Sequence, residues 1–158
     1  MVSDARFRYA LQPMLLTRQW ELDRLRSELG ELNLEWTAQN ATVQMLLGRH
    51  KASMEAWAGM QGTAQILSID KFVMQARYID DCGRQASVER EVLAALEQRR
   101  EELVGRLHLA QRALDGVQEH REKMQAQYLQ ARASLDFKAA DDQWGMSRTM
   151  GAVYDNES

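Results

Sequence analysis

The side chains best equipped for chemistry in this sequence are three histidines, His50, His108 and His120, and one cysteine, Cys82, set among 23 acidic residues. In a helical protein the reaction to look for first is carboxylate metal chemistry. It needs Glu-x-x-His pairs, whose two ligands project from adjacent turns toward one ion. Three residues before the histidines stand Leu47, Gly105 and Val117, none of which can bind a metal through its side chain. No glycine-rich loop follows a strand to cradle a phosphate, and no strand is expected anywhere. The residues therefore predict no catalysis, no metal and no cofactor. His50 reads as a hydrogen-bonded core residue, and His108 and His120 as surface residues. Cys82 cannot form an internal disulfide and reads as a small apolar residue of a reducing compartment.

The elements that would have to position any site are helices. One proline, Pro13, and nine glycines stand against a chain dominated by Leu, Ala, Gln, Glu and Arg, the residues that lose least on entering a helix. A formal charge of -3 leaves no basic surplus for neutralising phosphates, so nucleic acid is not an expected partner. The first residues mix Asp4, Arg6 and Arg8 among apolar side chains and lack the apolar core of a signal peptide. The uncharged stretch Ala58 to Ile69 is too short and too polar to span a bilayer. A cytoplasmic protein without membrane insertion is expected.

Steps of seven from Leu15 give Leu22, Leu29, Trp36, Val43, His50 and Trp57, with Leu25, Leu32 and Leu46 three residues on from members of the series and Arg18, Gln39 and Ser53 as polar exceptions. A second heptad series begins at Phe72 and runs through Ile79, Ala86, Leu93, Arg100, Leu107, Leu114, Arg121 and Tyr128 to Leu135. Its companions are Cys82, Leu96, Leu103, Ala110, Val117, Met124 and Ala131. Two such seams separated by a glycine-containing segment predict an all-α fold, a long antiparallel two-helix coiled-coil hairpin whose second helix is the longer. Pro13 suits a first helical turn and not an interior, so residues 1–12 read as a frayed or kinked lead-in and the first helix as residues 13–57. The turn is read at 58–68, the second helix at 69–144 with cap chemistry from Ser68 and Asp70, and residues 145–158 as a mobile tail.

Helices of these lengths would run roughly 67 and 108 Å at about 1.5 Å per residue, so the arms cannot match. Pairing residues near 57 with those near 69 brings the first helix to its end opposite position 113. Leu114, Val117, Met124, Tyr128, Ala131 and Leu135 are then left as an apolar stripe without an intramolecular partner, with Arg121 among them. Burying such side chains is worth about 1.5–3 kcal/mol each, so the stripe predicts a protein partner at the open end. Trp36 and Trp57 fall on the seam. Trp20, Phe137 and Trp144 fall outside it and, with Phe7 and Tyr9, are candidate interface anchors near that end.

The opening Phe7-Arg8-Tyr9-Ala10-Leu11-Gln12-Pro13-Met14-Leu15-Leu16-Thr17-Arg18 precedes a leucine heptad and a short glycine-containing turn. The Ile69 to Ile79 segment and a longer Arg/Gln/Glu-rich second helix follow. Over nearly the whole chain this pattern resembles the FliJ/YscO family of bacterial type III secretion stalk proteins. The acidic Asp141-Asp142 pair and the tail after it look more like the injectisome branch than the flagellar one. The resemblance implies a stalk whose two-terminus end enters the hexameric secretion ATPase, promotes its assembly and activity, and links it to the cytoplasmic ring of the export gate at the inner membrane. It implies ATPase contacts at Trp20, Leu114, Val117, Arg121, Met124, Tyr128 and Leu135, and gate contacts at Phe72, Ala76 and Ile79. Ala76 is smaller than the leucine that the family pattern leads one to expect there. Export chaperones are a further expected partner, and the alternative functions are an export chaperone or chaperone escort, or a generic coiled-coil scaffold.

Overall fold

The computed structural model describes residues 6–61 and 68–154. Two helices account for nearly all of them, α1 (Gln12–Gln61, 50 residues) and α2 (Ile69–Tyr154, 86 residues), and they pack against each other. There is no strand among the described residues. The all-α two-helix hairpin with the longer second helix is thus the observed architecture.

The helix starts follow from local chemistry. Pro13 occupies the first turn of α1, where its missing N–H leaves no hydrogen bond unmade. The turn is closed by Gln12 N–H donating to the Tyr9 carbonyl at 3.1 Å and Leu15 N–H to the Leu11 carbonyl at 3.0 Å. Ser68 caps α2, its hydroxyl oxygen accepting from Lys71 N–H at 3.4 Å and its carbonyl from Phe72 N–H at 3.2 Å. Asp70 adds negative charge where the exposed N–H groups of the first turn favour it.

The chain divides into two units. In the unit Glu21–Ala110 the seam is formed by Leu22, Leu25, Leu32, Val43 and Leu46 of α1 and by Cys82, Ala86, Leu103 and Ala110 of α2, all buried. Cross-contacts set its direction. Trp36 Nε1 donates to Glu97 at 3.3 Å, the Gln39 amide donates to the Glu89 carbonyl at 3.0 Å and to its carboxylate, and Trp57 lies 4.2 Å from Phe72 between ring centroids. The α1 numbers rise as the α2 numbers fall, so the pairing is antiparallel. The polar seam positions are accommodated. The Gln39 side chain bonds across the interface, buried Ser53 has no unsatisfied side-chain atom, and the His50 ring lies over Gly83, where a Cβ would stand 3.2 Å from Nε2.

In the unit Met1–Trp20 with Gln111–Ser158, Leu15 and Leu114 are buried. Beyond them the partner of α2 is not a helix. Residues 6–9 are irregular and 10–11 form a turn, and this strap packs along α2, with Phe7 5.6 Å from Tyr128 and Tyr9 5.7 Å from His120 between ring centroids.

Both helix ends differ from the sequence reading. The first helix ends at Gln61 and not at 57, because Gly59 lowers helix propensity by only about 1 kcal/mol and nothing else breaks the turn. Of the expected turn, residues 62–67 lie outside the described residues. The second helix continues past 144 to Tyr154. Its heptad is lost there, but helical hydrogen bonding needs no heptad. Ser147 and Thr149 turn their hydroxyls back onto the carbonyls of Trp144 and Gly145, at 2.9 and 3.0 Å, as helical residues do.

Candidate protein-binding surfaces

The residues assigned to the open end fall into three environments. Leu114 is 5% exposed and belongs to the core, so it has the intramolecular partner that the sequence reading denied it. Val117, Met124 and Tyr128 are half-buried because Phe7 and Tyr9 lie against this part of α2. Arg121 and Ala131 are exposed, as are Leu135 at 67% and Trp20 at 82%. The uncovered part of the stripe is therefore shorter than the sequence reading made it, and it begins after Tyr128.

The strap is held by a specific polar contact. The Tyr9 hydroxyl lies 2.8 Å from His120 Nδ1 and 3.3 Å from the Val117 carbonyl. A phenol has one proton, and the carbonyl can only accept. Both contacts are therefore satisfied when Tyr9 donates to Val117 and His120 carries hydrogen on Nδ1, donating to the phenol oxygen. Phe7, Tyr9 and Leu11 with Met124 and Tyr128 line an open, mostly apolar groove of about 490 Å³. Sequence reasoning missed this docking, although a signal existed. Phe7 and Tyr9 alternate with Arg6 and Arg8 at the period of an extended segment with one apolar face.

At the start of α2, in the other unit, the gate-assigned residues are also divided. Phe72 packs against Trp57 with the rings tilted by 41° yet remains 45% exposed, Ile79 is half-buried and Ala76 is exposed. Ile69, Val73, Met74 and Tyr78 around them are exposed as well. Exposed apolar side chains thus stand on more than one side of these three helical turns.

The charged faces behave as solvated surface. The ion pairs Arg24–Glu28, Arg26–Asp23 and Arg84–Asp80, at 3.4, 3.6 and 2.7 Å, join residues one turn apart on the same helix. Such exposed pairs are worth about 0.3–0.5 kcal/mol each. A cleft of about 240 Å³ between the helices is lined by Glu28, Glu31 and Glu35 facing Arg99 and Arg106, which makes it a polar flank of the seam. Among the described residues no three His, Cys, Asp or Glu side chains converge as a metal site. No described helix is long and apolar enough to cross a membrane.

The chain matches no protein-family model, no curated protein and no solved structure.

What the arrangement can do is accept protein surface. Beyond the strap, α2 exposes Leu129, Leu135, Phe137, Trp144, Met146 and Met150, each at least 56%. The Arg148 guanidinium sits 5.6 Å from the Trp144 ring centroid, a contact that orders the indole without covering it.

Proposed function

We propose that this chain is a type III secretion stalk of the FliJ/YscO kind, which enters the ring of a hexameric secretion ATPase through the distal part of α2 and contacts the export gate's cytoplasmic ring through the start of α2. The observation that carries the reading is the inequality of the helices. α2 is 86 residues long against 50 for α1, and past Tyr128 it still carries exposed Leu135, Met146 and Met150. Apolar surface of this extent on one helix marks a binding surface. The exposed Ile69, Phe72, Val73 and Met74 at the start of α2 support a second contact, the one proposed for the gate.

The mechanism is linkage and needs no chemistry in this chain. A rod that binds the assembled ring better than its free subunits shifts the equilibrium toward the ring by its differential affinity. An asymmetric rod in a symmetric ring also makes the ring's sites unequal, which biases the order in which they turn over. Leu114 lies in the core and Val117, Met124 and Tyr128 lie under the strap, so Trp20, Arg121 and Leu135 are the assigned ATPase contacts available without rearrangement.

The test is to titrate the full chain into the cognate secretion ATPase while measuring hexamer formation and ATP hydrolysis. Both should rise, and Leu135→Glu should reduce the effect without altering the protein's helix content. No rise with the folded chain in excess would refute the stalk reading.

A further inference from the structure

The distal part of α2 carries a second apolar stripe that the seam does not explain. Leu129, Ala133, Phe137, Ala140 and Trp144 are spaced four, four, three and four residues apart, which places them on one helical face. At 3.6 residues per turn this face lies well over a third of a turn around the helix from the seam face of Tyr128, Leu135 and Met146. All five residues are exposed, Phe137 at 79% and Trp144 at 68%.

We propose that this stripe is a dimerisation face, occupied by the same stripe of a second copy running antiparallel. Aromatic residues and alanines alternate along it. In an antiparallel helix pair each a position packs against a d position of the partner helix. With Phe137 and Trp144 at a and Ala133 and Ala140 at d, a two-fold axis between Lys138 and Ala139 sets Phe137 of each copy against Ala140 of the other, and Trp144 against Ala133. Every layer then holds one large and one small side chain, the condition for even packing. A parallel pair would set aromatic on aromatic and alanine on alanine, giving alternately overfilled and empty layers. In the antiparallel pair the flanking positions bring Asp136 beside Gln143 and Ser134 beside Asp141, so like charges do not meet. One self-complementary patch repeated by a two-fold axis is the isologous interface of most homodimers.

The size of the face suits the same occupant. Each aromatic side chain can bury about 150–250 Å². Four aromatics, two leucines and the flanking alanines bring the total to roughly 1,000–1,200 Å², the lower edge of stable interfaces and the range of a dimer that can dissociate. A lipid surface fits less well. Arg132, Lys138 and Arg148 are balanced by Asp136, Asp141 and Asp142, which leaves no cationic surplus for anionic headgroups. The inference does not rest on the stalk reading, because it uses a different face of α2.

Sedimentation equilibrium of the full chain, from low micromolar to near millimolar concentration, tests the proposal. The expected result is a reversible dimer, weakened about tenfold or more by Phe137→Glu or Trp144→Glu, with circular dichroism unchanged because both side chains are exposed. Met146→Glu, on the seam face, leaves dimerisation as it was. Orientation is read from nitroxides placed at Gln130→Cys in a Cys82→Ala background, which an antiparallel pair separates by about 25 Å along the helix axis. A protein that stays monomeric overturns the proposal. So does a dimer indifferent to Phe137→Glu, one weakened equally by Met146→Glu, or nitroxides held side by side as in a parallel pair.

Discussion

Replacing helical glycines by alanine tests whether the two helices run unbroken where the structure places them. Gly30 and Gly48 lie inside α1, and a Cβ built at either meets nothing within 4 Å. Neither glycine has the positive φ that would make alanine strained. The substitution then acts through backbone entropy and helix propensity alone, worth about 0.8–1.0 kcal/mol per site. The two positions are 18 residues apart on one helix, about 27 Å, so their effects add to about 2 kcal/mol in the double variant. Gly83 is the internal control. A Cβ there comes within 3.2 Å of His50 Nε2, so the ring must give way by a few tenths of an ångström and part of the gain is lost. Gly145 and Gly151 are the second control, in a part of α2 where every described side chain is exposed. Alanine at these two positions raises helicity but leaves the cooperative midpoint in place, because unwinding there uncovers no core. Urea unfolding followed by circular dichroism, with the slope checked for constancy, measures all of these. A Gly48→Ala variant no more stable than the parent, or a Gly145→Ala variant stabilised as much as Gly48→Ala, would refute the reasoning.

Tyr9→Phe removes the hydroxyl from the Val117 carbonyl and His120 and should loosen the strap by about 0.5–1.5 kcal/mol, seen as faster amide exchange around residues 7–12 while the rest of the chain is unaffected. Leu103→Ala, at a position 6% exposed, should destabilise the hairpin by about 2–5 kcal/mol, whereas Leu109→Ala, at a position 66% exposed, should change stability by less than about 0.5 kcal/mol in the same unfolding assay. Cys82 is buried in the seam, so a thiol reagent should label it slowly in the folded protein and at the free-thiol rate in urea; rapid labelling of the folded chain would mean that the seam is open there.

Much of the fold was legible because a heptad is local information. The positions Leu15, Leu22, Leu25, Leu32, Val43 and Leu46 were assigned to a seam by spacing, and all are buried. Ala86, Leu103 and Ala110 follow the same rule on α2. Where α1 no longer lies alongside, Arg121 and Leu135 keep the period without the cover, and within the paired stretch Phe72 and Arg100 are exposed as well. The outer positions of Trp20, Phe137 and Trp144 were legible for the same reason, and all three are exposed.

Two errors share a cause, since each equated one pattern with one structure. The loss of the heptad after 144 reads as the end of the helix, but a helix is held by bonds between residues four apart and continues to Tyr154. The segment before Pro13 has no heptad and reads as a frayed or kinked lead-in whose Phe7 and Tyr9 await an external partner. The alternation of Phe7 and Tyr9 with Arg6 and Arg8 is that of an extended strap, and the strap lies against half-buried Val117, Met124 and Tyr128.

The sequence by itself determined two helices, their unequal lengths and the identity of the seam, because propensity, capping and spacing act within a few turns of the chain. The tertiary structure decided which α2 residues are covered, and hence which remain available to a partner. That choice depends on where residues 7–11 come to rest against residues more than a hundred positions away, a contact whose energy no local pattern contains.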